Sequence, residues 1–348
     1  MITASAKTTI TLDAPQEMLS QILSHLRDDH GMGFRSDGEG AHVFEQDGYR
    51  VEFALRRRAL DVTLGAPGEN AMQFSKEGMV QHIAALSPEV AQTIRWEGVA
   101  QEVGTLPRNF RLLTVLNSRL LFEGMQRVTL QYPDIARLQT EGLHVRMILP
   151  CDPTRAAIWP VMGANGAPVW PTGDDALHAR YLTLKNIRPE TEEVEVDVVC
   201  HRSGLISRWA QHARSGQQIG AMGPVGITAL PEVASYFLAA DGTGLPAVAQ
   251  LMSRLSHDAV GHVVVALPAG VSHHDYLPQT KLRIHTVAPD RFEATILEYT
   301  QALTTTDIGY AFFAGEFANA QQLRQYFRND LSLDKTKQVC TAYWRRTS

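Results

Sequence analysis

The pattern of apolar runs changes character near residue 228, and that change constrains the fold more than any other feature of the chain. Before it, strand-like runs recur at Arg111–Leu116, Gln126–Gln131, His144–Leu149, Tyr181–Lys185 and Val194–Val199, separated by Pro, Gly and Asp. Short strands at regular spacing with turn signals predict an antiparallel β-barrel. After it, apolar strands at Ser235–Ala240, His262–Ala266, Leu282–Thr286 and Ile308–Ala314 alternate with helices at Ala247–Leu255, Phe292–Ala302 and Ala318–Phe327, and Val339–Trp344 ends the chain. Alternation of this kind predicts a parallel α/β sheet with crossover helices. Residues 150–176, rich in Pro, Gly and Asp and carrying Trp159 and Trp170, read as an excursion from the barrel.

The first hundred residues form a separate α+β pattern. Thr8–Leu12 alternates like a strand, and Asp13 is placed to cap a helix from Ala14 whose apolar face is Met18, Leu19, Ile22, Leu23 and Leu26. Gly31–Gly33 closes that helix. Strands Ala41–Gln46 and Tyr49–Ala54 flank an Asp47-Gly48 hairpin turn, Leu60–Leu64 is a third strand, and a helix is predicted from about Ser75 to Leu86, with Glu69–Phe74 ambiguous. Residues 99–107 read as a linker. The expected domains are therefore 1–98, 107–227 and 228–348.

Composition narrows the chemistry. The 348 residues carry 20% charged side chains and a net charge of −5, which gives no reason to expect nucleic acid. The longest apolar-looking stretch, Val225–Ala240, contains Pro231 and Glu232 and falls short of the ~20 residues of a membrane span. The start, Met1 to Lys7, lacks the apolar core of a secretory signal, so a cytoplasmic protein is expected. Cys151, Cys200 and Cys340 form no CxxC pair, so a zinc ribbon or an iron–sulfur cluster is not expected. Redox chemistry on this chain would need an organic cofactor.

Three local patterns carry that possibility. Arg180 and Thr183 on one strand, followed by His201 and a loop-to-helix segment Gly204–Ala210, suit a phosphate and a flat ring. Arginine offers paired donors, and a helix start offers free N–H groups to a pyrophosphate. Each piece also reads as an ordinary strand and an ordinary helix cap. Asp241-Gly242-Thr243-Gly244-Leu245-Pro246 follows an apolar strand as a glycine-rich turn into a helix, without the full GxGxxG spacing of a dinucleotide fingerprint. Ala314-Gly315-Glu316 ends another strand of the same sheet, where Glu316 alone reads as a solvated helix-start carboxylate.

Taken in order, these segments resemble the siderophore-interacting protein family, FAD-containing ferric-siderophore reductases of ferredoxin-reductase-like fold. The likeness runs over about residues 107–346. Met125–Leu130 resembles the opening strands, and His144–Pro150 the next barrel strand, where the family commonly has Lys. Arg180-x-x-Thr183 resembles the flavin motif Arg-x-Tyr-Thr. His201 with Gly204–Ala210 resembles the pyrophosphate signature, and Gly223-Pro224-Val225-Gly226 the segment closing the barrel. The Asp241–Pro246 turn, Gly315-Glu316 and Tyr343-Trp344-Arg345-Arg346 complete it. The first hundred residues resemble a small domain of unknown function sometimes found ahead of such a reductase.

The resemblance implies an FAD-binding barrel and an NAD(P)-binding α/β domain. It implies cofactor contacts at Arg180, Leu182, Thr183, His201, Gly204, Leu205, Ile206, Ser207, Trp209, Asp241, Thr243, Gly244, Leu245, Pro246, Gly315, Glu316 and Trp344. Arg146, Arg345 and Arg346 are the candidates for an anionic ferric siderophore. No side chain need act as nucleophile. Leu182 stands where the family has a flavin-stacking Tyr, and Lys185 where Arg is usual. Tyr181, one residue from Leu182, is expected on the opposite strand face. NADPH is expected to serve at least as well as NADH, since no carboxylate follows strand His262–Ala266 before Asp275, while Ser272, His273, His274 and Arg283 offer donors. His25 and His30 read as separate surface residues, and His273-His274 as a loop pair. A general flavin reductase, or a siderophore-binding protein with a weakened flavin site, would share these motifs.

Overall fold

A computed structural model describes all residues except 1, 31, 38, 39, 47, 98–102, 140, 141, 202, 203, 227–229, 305, 306, 347 and 348. The expected turn residue Asp47, the helix-closing Gly31 and residues 99–102 of the 99–107 linker thus lie outside the described residues. Two compact units are distinguished: Met1–Arg111 with Ile148–Ala179 and Met222–Pro224, and the remainder of the chain.

In the first unit, β1 (Ala4–Thr11), α1 (Pro15–Asp28), β2 (Arg35–Ser36), β3 (His42–Gln46), β4 (Tyr49–Arg56), β5 (Ala59–Ala66), α2 (Glu69–Leu86) and α3 (Pro88–Thr93) follow one another. The strands form an antiparallel sheet in the order β1-β5-β4-β3-β2. Alternate residues of β1 are buried, and Leu19, Ile22 and Leu26 of α1 pack with Met79, Val80 and Ile83 of α2 over Phe53, Leu60, Val62 and Leu64. The ambiguous residues 69–74 are helical because Met72 belongs to this core. Asp13 does not cap α1; it pairs with Arg58 at 3.1 Å, and Ala14 occupies the cap position without a side-chain bond.

The 150–176 excursion belongs to this unit. Trp96 Nε1 donates to the Asn165 carbonyl (2.9 Å), Asn165 Nδ2 to the Ala91 carbonyl (3.2 Å) and Gln73 Nε2 to the Gly166 carbonyl (2.9 Å), while Ala167 joins the apolar core. His25, His30 and His82 also converge, with ring centroids 4.4–5.2 Å apart. Burial, aided by its two neighbours, pushes His82 down to about 4. The five-residue spacing of His25 and His30 excludes a shared helix face, but α1 stops at Asp28 and the chain turns back.

The barrel contains six strands, one more than the sequence pattern predicts. They are β6 (Phe110–Phe122), β7 (Met125–Gln131), β8 (His144–Pro150), β11 (Leu177–Arg188), β12 (Glu193–Val199) and β13 (Gln218–Val225), closed in the order β11-β12-β7-β6-β13-β8. The small hairpin of β9 (Val161–Met162) and β10 (Pro168–Val169) lies within the excursion. β13 escapes notice in the sequence because Gly220, Gly223 and Pro224 interrupt its apolar pattern. After β12 comes α4 (Leu205–His212).

The parallel sheet follows: β14 (Tyr236–Ala240), α5 (Leu245–Met252), β15 (Gly261–Ala266), β16 (Arg283–Val287), α6 (Phe292–Gln301), β17 (Tyr310–Glu316), α7 (Phe317–Asn329) and β18 (Gln338–Trp344). Strand order is β16-β15-β14-β17-β18, all neighbours parallel. β14 and β17 are buried throughout, as expected for strands covered on both faces. Leu238, Val263, Val265 and Phe312 pack with α5 and with Met125 and Leu143 of the barrel. Phe237, Val264 and Phe313 pack with Phe292, Ile296, Leu323 and Phe327 of α6 and α7.

A buried ion network joins barrel and sheet. The Asp197 carboxylate of β12, fully buried, accepts two hydrogen bonds from Arg127 of β7 (2.7 and 2.8 Å) and one from Tyr276 Oη (2.6 Å). Lys185 Nζ of β11 lies 3.6 Å from it and 3.7 Å from the Tyr276 ring centroid. Burial alone would raise the Asp197 pKa, but the Arg127 bonds and the Lys185 charge outweigh it and hold the carboxyl below its usual range. Burial brings the Lys185 ammonium down to about 8.

Asp197→Asn is expected to lower unfolding stability by roughly 3–5 kcal/mol, since it leaves Arg127 and Lys185 buried without their counter-charge. A group with a lowered folded pKa contributes in full above its unfolded value, near ~3.9, and loses that contribution only as pH falls through the lower folded value. Urea midpoints of both proteins should therefore differ at neutral pH, and converge only in stronger acid. Equal midpoints at neutral pH would refute this account of the network.

Candidate functional site

The parallel sheet reverses its direction of growth between β14 and β17, and the carboxyl ends of those strands carry the residues singled out in the sequence. Such a switch point leaves a crevice suited to a dinucleotide. Asp241 follows β14 and organises it. Its Oδ1 accepts the Thr243 N–H (2.8 Å) and the Thr243 hydroxyl, and its Oδ2 accepts Trp344 Nε1 from β18 (2.7 Å). A Cβ at Gly244 would lie 2.4 Å from the Ala314 carbonyl oxygen, and one at Gly315 would lie 2.7 Å from Asp241 Oδ2. Both glycines are thus required by the approach of turn and strand to each other. Leu245 and Pro246 are buried at the start of α5, where the N–H groups of Gly244 and Leu245 donate to the Asp241 carbonyl (3.2 and 2.9 Å).

Glu316 is not solvated. It is 6% exposed, caps α7 through the Ala318 N–H and accepts the Arg346 N–H at 3.3 Å. Its carboxylate is therefore committed to tying the end of β17 to the chain terminus.

On the barrel, Arg180 is exposed, Leu182 half-buried and Thr183 buried. Tyr181 is 56% exposed, and strand alternation sets it opposite Leu182. Thr183 Oγ1 lies 3.2 Å from His144 Nδ1 of β8, and His144 Nε2 lies 3.1 Å from Tyr343 Oη of β18. Burial holds His144 near 4, hence neutral, so one of its nitrogens donates and the other accepts. This Thr183–His144–Tyr343 chain couples barrel to sheet at the candidate site. The sequence pattern missed His144 and Tyr343 as a pair, since nothing local signals a contact across a separation of 199 positions.

The turn before α4 is closed on itself. The His201 N–H donates to Ser207 Oγ (2.8 Å), and that hydroxyl donates to the His201 carbonyl (3.0 Å). A Cβ at Gly204 would come within 2.5 Å of the His201 ring, so only glycine admits the imidazole against the first turn of α4. Ile206 and Ser207 are buried, leaving the N–H groups of that turn, unpaired within any helix, as the donors. The indole Nε1 of Trp209 is buried and has no hydrogen-bond partner among the described residues. A glycine-cleared helix start with a spare buried donor fits a pyrophosphate, and the residues present fit a flavin dinucleotide on that ground.

The three arginines are placed differently. Arg146 follows His144 by two on β8 and so shares its strand side. Arg345 stacks on Phe317 at 3.6 Å, and Arg346 pairs with Glu293; both remain exposed. Arg283 opens β16 beside His262, at the amino edge of the sheet, and is thereby removed as a partner for a nucleotide at the carboxyl edge. His273, His274 and Asp275 form a short 3-10 turn after β15, opened by Ser272, whose Oγ accepts the His274 N–H.

Comparison with known proteins agrees with this arrangement. Residues 114–228 match the model of the siderophore-interacting FAD-binding domain, and residues 233–347 that of the siderophore-interacting protein. Ferric vibriobactin reductase ViuB of Vibrio cholerae is 24% identical over 245 residues, covering 68% of this chain and 89% of that protein. The NADPH-dependent ferric-chelate reductase of Escherichia coli K12 is 27% identical over 241 residues, covering 68% and 92%. Among solved structures, the siderophore-interacting protein SipS of Aeromonas hydrophila superposes with a TM-score of 0.57 at 26% identity, covering 69% of this chain and 93% of that one. A siderophore utilization protein from T. fusca gives 0.59 at 25% identity, covering 71% and 97%. With two successive family models spanning the barrel and the parallel sheet, the chain belongs to the siderophore-interacting protein family.

Proposed function

We propose that this protein is a cytoplasmic, NAD(P)H-dependent ferric-siderophore reductase that carries FAD and releases iron as Fe(II). The observation that carries the reading is the coupling of two sites in one unit: the barrel strand with Arg180–Thr183 and the sheet crevice at Asp241–Pro246 are linked by Thr183–His144–Tyr343 and by Trp344–Asp241. The activities named for the Vibrio cholerae and Escherichia coli relatives support the substrate class. No helix among the described residues is long and apolar enough to cross a membrane.

Bound FAD supplies the conversion of a two-electron hydride donation into single-electron delivery to iron. The chain binds and orients. Arg180 provides paired donors for phosphate oxygens, and the first turn of α4 with Trp209 Nε1 provides donors for the pyrophosphate. Leu182 packs against a flat ring without the aromatic contact a Tyr would add, worth roughly 0.5–1.5 kcal/mol. Thr183, held by neutral His144, presents its hydroxyl in one orientation. The start of α5 and Thr243 receive the nicotinamide dinucleotide. Arg146, Arg345 and Arg346 offer positive charge to an anionic ferric siderophore. Hard oxygen donors hold Fe(II) more weakly than Fe(III), so reduction frees the ion.

The purified protein should be yellow, and heat should release FAD and not FMN on chromatography. Under anaerobic turnover it should reduce a ferric siderophore, followed with a ferrous chelator, faster than it reduces free flavin. Rates with free flavin that exceed those with every ferric siderophore tried would instead identify a general flavin reductase. Arg180→Ala should lower FAD retention through gel filtration, by about tenfold in affinity for the loss of charge-assisted bonds of ~1.4 kcal/mol. Unchanged occupancy removes Arg180 from the site.

NADPH should match or exceed NADH in kcat/KM with one ferric acceptor. Ser272, His273 and His274 lie just beyond the carboxyl end of β15, where they offer donors to a 2′-phosphate, and the first carboxylate there is Asp275. A preference for NADH of more than tenfold, ~1.4 kcal/mol, would show that Asp275 reads the ribose hydroxyls.

A further inference from the structure

The residues assigned to the proposed reductase site lie in the other unit, yet the N-terminal unit gathers three imidazoles from separate places in its chain. His25 lies in the last turn of α1, His30 just past its end and His82 on α2. One ligand nitrogen from each lies within 4.8 Å of those of the other two. We propose that His25, His30 and His82 bind a divalent first-row transition ion of the Zn²⁺ class through three imidazole nitrogens.

The local geometry is built for that purpose in two respects. First, His25 Nε2 and His82 Nδ1 are 3.2 Å apart. Two nitrogens on one tetrahedral ion, each at about 2.0–2.1 Å, lie roughly 3.3–3.4 Å apart. The pair therefore already has the separation of two ligands on one ion, and needs the His82 Nδ1 proton to move to Nε2 or leave. Second, the far nitrogen of His25 is held by a carboxylate: Nδ1 lies 2.7 Å from Asp29 Oδ2. That bond keeps the proton on Nδ1, turns the Nε2 lone pair inward and raises its basicity, the arrangement by which carboxylates support metal-bound imidazoles. Asp29 is thus a positioning residue.

His30 completes the set. The backbone turn that ends α1, with Asp29 N–H on the His25 carbonyl and Met32 N–H on the Leu26 carbonyl, folds His30 back toward its partners. It is exposed, whereas His25 and His82 are half-buried. Its ring can close the last ångström without disturbing the core. Three neutral nitrogens exclude Mg²⁺ and Ca²⁺, which require oxygen donors, and suit Zn²⁺, Cu²⁺, Ni²⁺ or Fe²⁺. With three protein ligands and one exposed side, a fourth coordination position remains for water or an exogenous ligand.

The test uses the full-length protein, freed of metal by dialysis against chelator and titrated calorimetrically with ZnCl₂. One ion per chain should bind saturably, and Co²⁺ in its place should give the intense visible bands of a four-coordinate site. His30→Ala and His82→Ala should each weaken Zn²⁺ binding at least tenfold, and Asp29→Asn by about 10–100-fold. His273→Ala/His274→Ala should leave the titration unchanged. Far-UV circular dichroism verifies folding; because His30 is exposed and lies beyond the helix end, its variant keeps the test decisive should His82→Ala unfold. Absence of saturable uptake, wild-type affinity in folded His30→Ala, or Mg²⁺ binding as tightly as Zn²⁺ would overturn the proposal.

Discussion

One buried carboxylate, that of Asp197, ties the barrel strands beside the candidate site to the parallel sheet. It holds Arg127 of β7, Lys185 of β11 and Tyr276 from the segment after β15, and so locks three neighbouring elements of the barrel to the parallel sheet. Removing two or three charges from water is costly, and such a cluster persists only when each polar atom finds a partner. Here the Arg127 fork covers both oxygens, Tyr276 adds a third bond, and Glu195 takes the remaining Arg127 donor at 3.1 Å. The consequence for function is positional. Strand β11 is fixed at Lys185 by this network and at Thr183 by His144, so Arg180–Leu182 extend from a strand held at two points. Tyr276 closes the turn that carries His273 and His274, so the proposed nucleotide-selecting residues share the same anchor.

The Lys at 185 makes sense in that setting. An ammonium on a flexible stem reaches Asp197 and lies over the Tyr276 ring at once.

At the crevice, polar side chains serve construction before they serve ligands. Asp241 accepts from Thr243 and Trp344, Ser207 closes its own turn on His201, and Glu316 caps α7. What remains for a ligand is backbone N–H in the first turn of α4 and the buried indole N–H of Trp209. A site made this way recognises phosphate by preset donors and needs little side-chain rearrangement to do so.

Periodicity alone distinguished an antiparallel barrel from a parallel α/β sheet, because the burial of one strand face or of both leaves a direct imprint on local apolar spacing. β1, β14 and β17 could be read this way, as could the helices α5 to α7. Motif order also determined the family, since Arg180-x-x-Thr183, Gly204–Ala210 and Asp241–Pro246 are contiguous segments whose backbone needs are local. Only the tertiary structure decided the rest. β13 needed barrel closure to override its glycines and proline, residues 69–74 needed the core to make them helix, and Glu316 needed Arg346 to bury it. His144 with Tyr343, Arg127 with Asp197 and Tyr276, and His25 with His30 and His82 are pairings across long sequence distances or around a helix end. A local pattern encodes which face of an element is buried, but not which distant side chain meets it there.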